Sequence, residues 1–330
     1  MIDKNRTSRR DLIRAGGAMA AGMLMLPSAW AQLPASLRLV VGFPAGGTAD
    51  ALARVLAPAM AMAGGDLSVV VENKAGATGQ LAADFVRGTT DESALLVTPS
   101  SVLSLVPQLY RKPMFDPVAD FAPVGCVGEH AMGFAVLASS PHATLSEYLR
   151  WAKENAKDAT YATPGIGSAL HFLGASLSRD SGAALTHVPY RGVMPGLQDL
   201  IGGQVSATIN PLPTLIEFHK AGRIRLLAVT SPQRVASIAQ VPTVAELGWK
   251  KLEFVEWYGV FASTAVPPTV LGSLQTRLAQ AMAAASLAEA AKRLEVALRP
   301  LDGNRLRQLL LTDMASWKSA VQATGIQLES

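Results

Sequence analysis

The chain alternates short β-branched apolar runs with longer stretches whose apolar residues recur every three or four positions. The first pattern predicts strands, and the second predicts helices with one buried face. The predicted strands are residues 37–42, 67–72, 94–98, 134–138, 160–162, 185–188, 207–209, 226–229 and 258–261. The predicted helices are residues 50–63, 79–87, 100–110, 146–155, 168–178, 193–201, 212–221, 269–285, 287–295 and 304–324. Strands separated by helices predict an α/β fold built on parallel sheets.

A chain of this length usually folds as two domains. We expect the chain to cross between them near residues 124–133 and again near 256–262. The first lobe is then residues 33–126 plus 258–330, and the second is residues 127–257. Two crossing segments allow the lobes to hinge about a central cleft, and ligands of such sheets bind at the carboxyl ends of the strands.

The first 31 residues have the pattern of an export signal. A twin-arginine sequence, SRRDLIR, is followed by an apolar stretch at 15–26 and by an A-x-A site ending at Ala31. The stretch is too short for a membrane anchor and ends at Pro27, so we expect a cleaved signal and export to the periplasm.

Charge and cysteine content change the picture in two ways. The formal charge of +4 is largely that of the signal, since the chain after Ala31 has 24 basic and 23 acidic residues. Such a balance does not favour a nucleic-acid partner. The single cysteine, Cys126, permits no internal disulfide, and its apolar neighbours predict a buried thiol.

Two glycine-rich turns lead from a predicted strand into a predicted helix. The first reads FPAGGTAD, in which Gly46 and Gly47 let a ligand approach the backbone, Thr48 is placed to cap the helix and Asp50 lies in its first turn. A helix N-terminus attracts anions through its unpaired N–H groups and its dipole. An ordinary βα turn has a similar composition, and the nucleotide-binding glycine patterns are absent from the sequence.

The second turn reads TPGIGSALH, in which Ser168 is the natural N-cap and His171 lies one turn into the helix. His171 either packs and caps or contacts a ligand, and the residue pattern leaves both open. The turn lacks the G-x-S-x-G pattern of a nucleophile elbow.

Further polar residues follow other predicted strands. Ser100, Ser101, Tyr190 and Asn210 all lie at the expected ligand edge of the sheets. The histidines have no metal-binding spacing, so we expect neither a metal site nor a cofactor.

These segments together resemble the Bug-type (TctC) substrate-binding proteins of tripartite tricarboxylate transporters. The resemblance covers about residues 37–324 and rests on VVGFPAGGTADALAR, VVVENKAGATGQLAADFV, LYRKPMFDPVADFAPVG, YATPGIGSALHFLG, THVPYRGVMPGLQDLIGGQVSATI, AGRIRLLAVTSPQRV and VPTVAELG. Residues 89–94 depart from the Pro-Asp-Gly-Tyr-Thr turn that is typical of the family, and Arg191 stands where lysine is common.

The resemblance implies a type II periplasmic-binding-protein fold with two α/β lobes hinged about a central cleft. It implies a carboxylate ligand held between the two glycine turns by main-chain N–H groups and ordered waters. Family members bind dicarboxylates, tricarboxylates, amino acids and small or aromatic monocarboxylates. The implied ligand-binding residues are Phe43, Ala45, Gly46, Gly47, Thr48, Asp50, Gly165, Ile166, Gly167, Ser168 and His171, with Ser100, Ser101 and Asn210 as side contacts.

The predicted function is a monomeric periplasmic receptor, without catalysis, that delivers a small carboxylate-containing metabolite to membrane permease subunits. One alternative is the same receptor serving a membrane sensor kinase. Another is a periplasmic hydrolase or lyase that uses Ser168 and His171. That pair lies on one helix turn with no evident orienting carboxylate, a poor geometry for activating a nucleophile.

Overall fold

The computed structural model of the protein describes residues 33–328, apart from residues 64, 66 and 91. The predicted export signal, residues 1–31, therefore lies outside the described residues. No helix of the described part is long and apolar enough to cross a membrane.

The strands and helices of the structure follow the predicted alternation in most of the chain. The strands are β1 (Ser36–Val41), β2 (Ser68–Asn73), β3 (Ala94–Pro99), β4 (Phe121–Leu137), β5 (Thr160–Thr163), β6 (Thr186–Pro189), β7 (Ala207–Pro211), β8 (Ile224–Val229), β9 (Val255–Ser263) and β10 (Ala297–Asp302). The helices are α1 (Thr48–Met62), α2 (Gln80–Gly88), α3 (Ser100–Ser104), α4 (Leu145–Glu154), α5 (Ala169–Ser181), α6 (Val193–Ile201), α7 (Leu212–Lys220), α8 (Pro268–Met282), α9 (Ala285–Arg293) and α10 (Gly303–Thr324).

The strands form two groups that share β4. In the first strand group, the order is β2-β1-β3-β9-β4, and β10 pairs with the other edge of β4. In the second strand group, the order is β6-β5-β7, and β7 and β8 both pair with the last residues of β4. Helices pack on both groups, so the predicted α/β class is confirmed.

The prediction of parallel sheets is right for the outer strands and wrong for the central ones. β1 is parallel to β2 and β3, and β5 is parallel to β6 and β7. By contrast, β4 and β9 are antiparallel to every strand with which they pair among the described residues. The reason is geometric, because β4 carries the chain out of the first strand group and β9 carries it back in the opposite direction.

Three elements differ from the sequence expectation for local reasons. β4 is 17 residues long rather than five, because Pro123 and three glycines interrupt the apolar run before residue 134. The predicted helix at 100–110 ends at Ser104, and Pro107 lies in the short 3-10 turn that follows. β10 was not predicted, because Pro300 and the polar residues around it break the apolar pattern that is typical of a strand.

The apolar core is divided between the two strand groups. One cluster packs α1 and α8 against β1, β3 and β9, with Leu52, Leu95 and Leu274 at its centre. Another packs α4 and α5 against β5 and β7, around the rings of Tyr148 and Tyr161. Separate cores beside shared central strands suit a two-lobed protein. The lobe boundaries at residues 126 and 257 stay a prediction.

Candidate ligand-binding site

A cleft lies where three helices begin. α1 belongs to the first strand group, whereas α5 and α6 belong to the second. The cleft is lined by the first residues of all three, namely Gly47, Thr48, Ala49, Ser168, Leu170, Gly192, Val193, Met194 and Pro195. Helix N-termini present unpaired N–H groups and the positive end of the dipole, so the cleft is suited to an anion.

The start of α1 is left without a side-chain cap. The helix begins at Thr48, and its N-cap is Gly47, which has no side chain that could cap the helix. The expectation that Thr48 caps this helix is therefore wrong, because Thr48 is already helical and its hydroxyl oxygen lies 3.3 Å from that of Thr214 in α7. Gly192, the N-cap of α6, likewise provides no side-chain cap. The first-turn N–H groups of both helices thus have no capping side chain to satisfy them.

Asp50 supports the first glycine turn by hydrogen bonding to its backbone. The residue is 3% exposed. It accepts hydrogen bonds from the Gly46 N–H at 3.0 Å, from Arg54 Nε at 2.9 Å and from Asn73 Nδ2 at 3.0 Å. Burial raises the pKa of Asp50, but the bonds from Arg54, Gly46 and Asn73 outweigh that effect and hold the pKa below its usual range. Asp50 is therefore an ionised support of the turn.

The second turn is held by its own cap. Ser168 is the N-cap of α5, as predicted, and its hydroxyl accepts from the His171 N–H at 3.3 Å and donates to the Gly165 carbonyl at 2.8 Å. The Gly167 N–H donates to His171 Nδ1 at 3.2 Å. The imidazole of His171 also stacks on His187, with ring centroids 4.0 Å apart. His171 thus acts as a packing and capping group in this structure.

The two stacked histidines are uncharged at neutral pH. Burial lowers the pKa of His171. Burial and the neighbouring His171 lower the pKa of His187 to about 3. Ser168 makes its hydrogen bonds to backbone groups, so it is not joined to His171 in a nucleophile–base pair. The geometry gives no support to the hydrolase alternative.

Ser168→Ala is expected to lower the free energy of unfolding by about 1 kcal/mol, the usual cost of losing an N-cap. It should also weaken ligand binding several-fold, because Gly165 loses the hydroxyl that holds its carbonyl. Urea unfolding and ligand titration test this. Thr144→Ala is the matched control, since Thr144 caps α4 and does not line the cleft. It should cost similar stability and leave binding unchanged, and equal binding losses in both variants would contradict the assignment.

The structure brings only part of the predicted residue set to the cleft surface. Those that line it are Phe43, Ala45, Gly47, Thr48, Ser101 and Ser168. Gly46 lines an adjoining opening. The others lie behind or beside the cleft surface: Asp50, Ser100, Gly165, Ile166, Gly167, His171, Tyr190 and Asn210. Tyr190 donates to Asp199 at 2.6 Å. Asn210 is buried and donates to Thr208.

The sequence interpretation missed three parts of the cleft. It predicted a helix at 193–201 but did not assign the first turn of this helix, α6, to the ligand site. It also missed Thr78, which precedes α2. The third part is the β9 wall, formed by Glu256 and Tyr258 next to Ser101. An acidic residue in the otherwise apolar strand VEWYGVFAS was the signal that could have identified it.

The β9 wall holds a buried acid and a buried phenol. Glu256 Oε1 accepts from the Ser101 N–H at 3.0 Å and from the Ser100 hydroxyl at 3.3 Å. Burial raises the pKa of Glu256 in spite of these bonds. The Tyr258 hydroxyl lies 3.0 Å from Nε2 of His130, whose pKa burial lowers to about 4.

Few charges line the cleft. Glu256 and Arg191 are the only residues among Asp, Glu, Lys, Arg and His that border it in the described structure, and Arg191 is exposed. The helix N-termini, together with the exposed Arg191, are therefore the groups of the cleft that attract an anion. No group of three His, Cys, Asp or Glu residues within the described ranges is placed to hold a metal ion.

Two α/β groups joined by central strands, with helix starts facing a shared cleft, define the class of periplasmic solute-binding proteins. The chain belongs to the TctC family, because residues 52–326 match the model of the tripartite tricarboxylate transporter family receptor.

Individual proteins agree with this assignment. The chain is 30% identical to protein BugT of Bordetella pertussis over 89% of its length and 90% of that protein. It is similar to the structure of the periplasmic binding protein BugD, with a TM-score of 0.84, 29% identity and coverage of 89% of this chain and 99% of that one. It is also similar to R. palustris Rpa4515 with adipate, with a TM-score of 0.84, 28% identity and coverage of 91% and 100%. BugD is a periplasmic binding protein, and the likeness to its structure confirms the fold prediction.

Proposed function

We propose that this protein binds one small carboxylate-containing metabolite in the cleft and delivers it to the membrane permease of a tripartite tricarboxylate-type transporter. The observation that carries the proposal is the convergence of three helix N-termini, two of them without a side-chain cap, on a cleft whose one basic lining residue in the described structure, Arg191, is exposed. Hydrogen bonds from N–H groups to a carboxylate are charge-assisted, so several of them can replace an arginine. The adipate in Rpa4515 supports the same ligand chemistry.

Closure of two lobes, residues 33–126 plus 258–330 and residues 127–257, is part of the proposal. The N-termini come from both strand groups, so only a closed cleft brings them to the same ligand. Contacts across the cleft support this. The Thr78 hydroxyl donates to the Ile166 carbonyl at 2.8 Å, and the hydroxyl groups of Thr48 and Thr214 form a hydrogen bond at 3.3 Å. Closure excludes water and strengthens each hydrogen bond to the ligand.

Thr78 is held in a conformation suited to that contact. Thr78 and its neighbour Ala77 have φ angles of 53° and 47°, a left-handed backbone that residues with a side chain adopt infrequently. Such strain persists where the surrounding structure requires it, commonly at ligand clamps. We assign Thr78 to the closing contact of the first lobe.

Export and assembly complete the proposal. We infer that the twin-arginine signal directs the protein to the periplasm, that it is cleaved after Ala31, and that the mature receptor is a monomer. The TctC family and the periplasmic relatives support the location.

A thermal-shift experiment tests the function. The full chain is expressed with its signal and recovered from the periplasm, and its intact mass reports cleavage. It is then unfolded and refolded to remove bound ligand, and screened with succinate, adipate, malate and amino acids, with sulfate as the control anion. A carboxylate at 100 times its Kd should stabilise the native state by about 2.7 kcal/mol and raise the Tm by several degrees. The absence of any shift, with no small molecule released from unfolded protein as isolated, would exclude the proposal.

A further inference from the structure

Glu256 is the one buried ionisable side chain among Asp, Glu, Lys, Arg and His that borders the cleft in the described structure. It is 5% exposed. Its Oε1 accepts from the Ser101 N–H and from the Ser100 hydroxyl, and the Ser101 side chain also hydrogen-bonds to the carboxyl group. All of these donors belong to the first two residues of α3, and Glu256 itself borders the cleft, so a ligand can reach its carboxyl group.

No cation of the described chain neutralises this carboxyl group. The ion pairs of residues 33–328 do not include Glu256. The nearest histidine in this network is His130, which is buried, uncharged at neutral pH and bonded to Tyr258. The carboxyl group of Asp313 also acts on Glu256, and its charge has the same sign. A buried carboxyl group without a counter-charge is costly when ionised.

The cleft therefore offers two kinds of binding group. The helix N-termini of α1, α5 and α6 attract a negative group, and the carboxyl group of Glu256 offers an acceptor for a hydrogen-bond donor or a cation. A ligand with a carboxylate at both ends would place one of them against Glu256. A ligand with a carboxylate and an ammonium group would supply the missing counter-charge.

We propose that Glu256 is the specificity-determining residue of the cleft and selects an amino carboxylate, whose ammonium group donates to the Glu256 carboxyl group while its carboxylate binds the helix N-termini. This inference rests on the receptor function proposed above. It predicts discrimination between ligands that differ only in the group at one end, because a site built to pair with a polar group rejects analogues that leave it unpaired.

Matched ligands test the inference by calorimetry on refolded, ligand-free protein. The probes are 6-aminohexanoate with adipate and hexanoate, 4-aminobutyrate with succinate and butyrate, and L-leucine with 4-methylpentanoate. At least one amino carboxylate should bind, and its counterparts without the ammonium group should bind at least tenfold more weakly. Glu256→Gln should lose at least tenfold in affinity for the amino carboxylate and lose nothing for the counterparts. Glu253→Gln, on the same segment and outside the cleft lining, is the control, and it should bind every probe with the affinity of the wild-type protein.

The outcomes separate this inference from the receptor function. If dicarboxylates or simple acids bind wild-type protein as tightly as the amino carboxylates, the inference is wrong and the receptor function stands. If no carboxylate of any kind binds, both are wrong. If Glu256→Gln does not fold, the comparison of ligands on the wild-type protein still decides. Unchanged selectivity in a folded Glu256→Gln variant also overturns the inference.

Discussion

Gly42→Ala is expected to destabilise the protein by about 3 kcal/mol, the upper part of the usual range for overpacking. Gly42 directly follows β1, and a Cβ atom there would lie 2.6 Å from the Cα atom of Gly79 and 2.8 Å from its carbonyl oxygen. Both obstacles are backbone atoms, so no side-chain rotation relieves the clash. One of the two segments must move.

The same substitution is expected to weaken ligand binding by more than tenfold. Gly79 directly follows Thr78, whose hydroxyl bonds to Ile166 across the cleft. Displacing Gly79 therefore moves a residue that lines the cleft and takes part in the proposed closure. The loss should be mainly a faster dissociation rate, because the proposed closure relies on this contact to retain the ligand.

Thermal unfolding of the ligand-free protein measures the first effect, and we expect the Tm to fall by roughly 6–12 °C. Gly272→Ala is the control, because a Cβ atom at this position in α8 meets nothing within 4 Å. It should leave the Tm unchanged or raise it slightly, since alanine favours helices. If the Tm of the Gly42→Ala variant lies within a degree of the wild-type Tm, the backbone of this turn can move at little cost, and the prediction is wrong.

The features that the sequence predicts best are local. The cap of α5 involves Ser168 and the N–H of His171, three residues away, and the sequence interpretation identified it correctly. The two glycine turns were likewise placed at helix starts that line the cleft. Such signals are readable because the partners lie within one helix turn of each other.

The features that were missed depend on pairing between distant segments. Glu256 borders the cleft because β9 lies between β3 and β4. In that register His130 pairs with Glu256. Ser101, more than a hundred residues earlier, reaches the same carboxyl group from the start of α3. Hydrophobic periodicity assigns a residue to a strand but not to a neighbour. The pattern can therefore mark Glu256 as an unusual acid in an apolar strand, but it cannot show that Ser101 and the cleft lie beside it.

Asp50→Asn is expected to lower the free energy of unfolding by about 2–3 kcal/mol at pH 7, on the scale of hydrogen bonds to charged groups. Each carboxylate oxygen accepts bonds: Oδ2 from Gly46 and Arg54, and Oδ1 from Asn73 and Arg54. An asparagine amide has one acceptor oxygen, and its NH₂ group must face a donor in either orientation. The first glycine turn then loses its support, and ligand affinity should fall at least tenfold.

The pH dependence separates lost charge from altered shape. Because the pKa of Asp50 is lowered in the folded protein, its ionisation stabilises the fold above the unfolded-state pKa of about 3.9. That contribution is lost as the pH falls through the lower folded-state pKa. The difference in Tm between wild type and Asp50→Asn should therefore be largest at neutral pH and shrink on going to pH 3.

Asp84→Asn is the matched control for this charge effect. Asp84 pairs with Arg87 on α2, and the side chains of both are more than a third exposed. Exposed pairs contribute about 0–1 kcal/mol, so Asp84→Asn should change neither the Tm nor ligand affinity appreciably. If the Asp50→Asn difference in Tm is the same at pH 7 and pH 3, the loss comes from the shape of the turn. The ionised carboxylate of Asp50 would then not be what holds the first glycine turn in place.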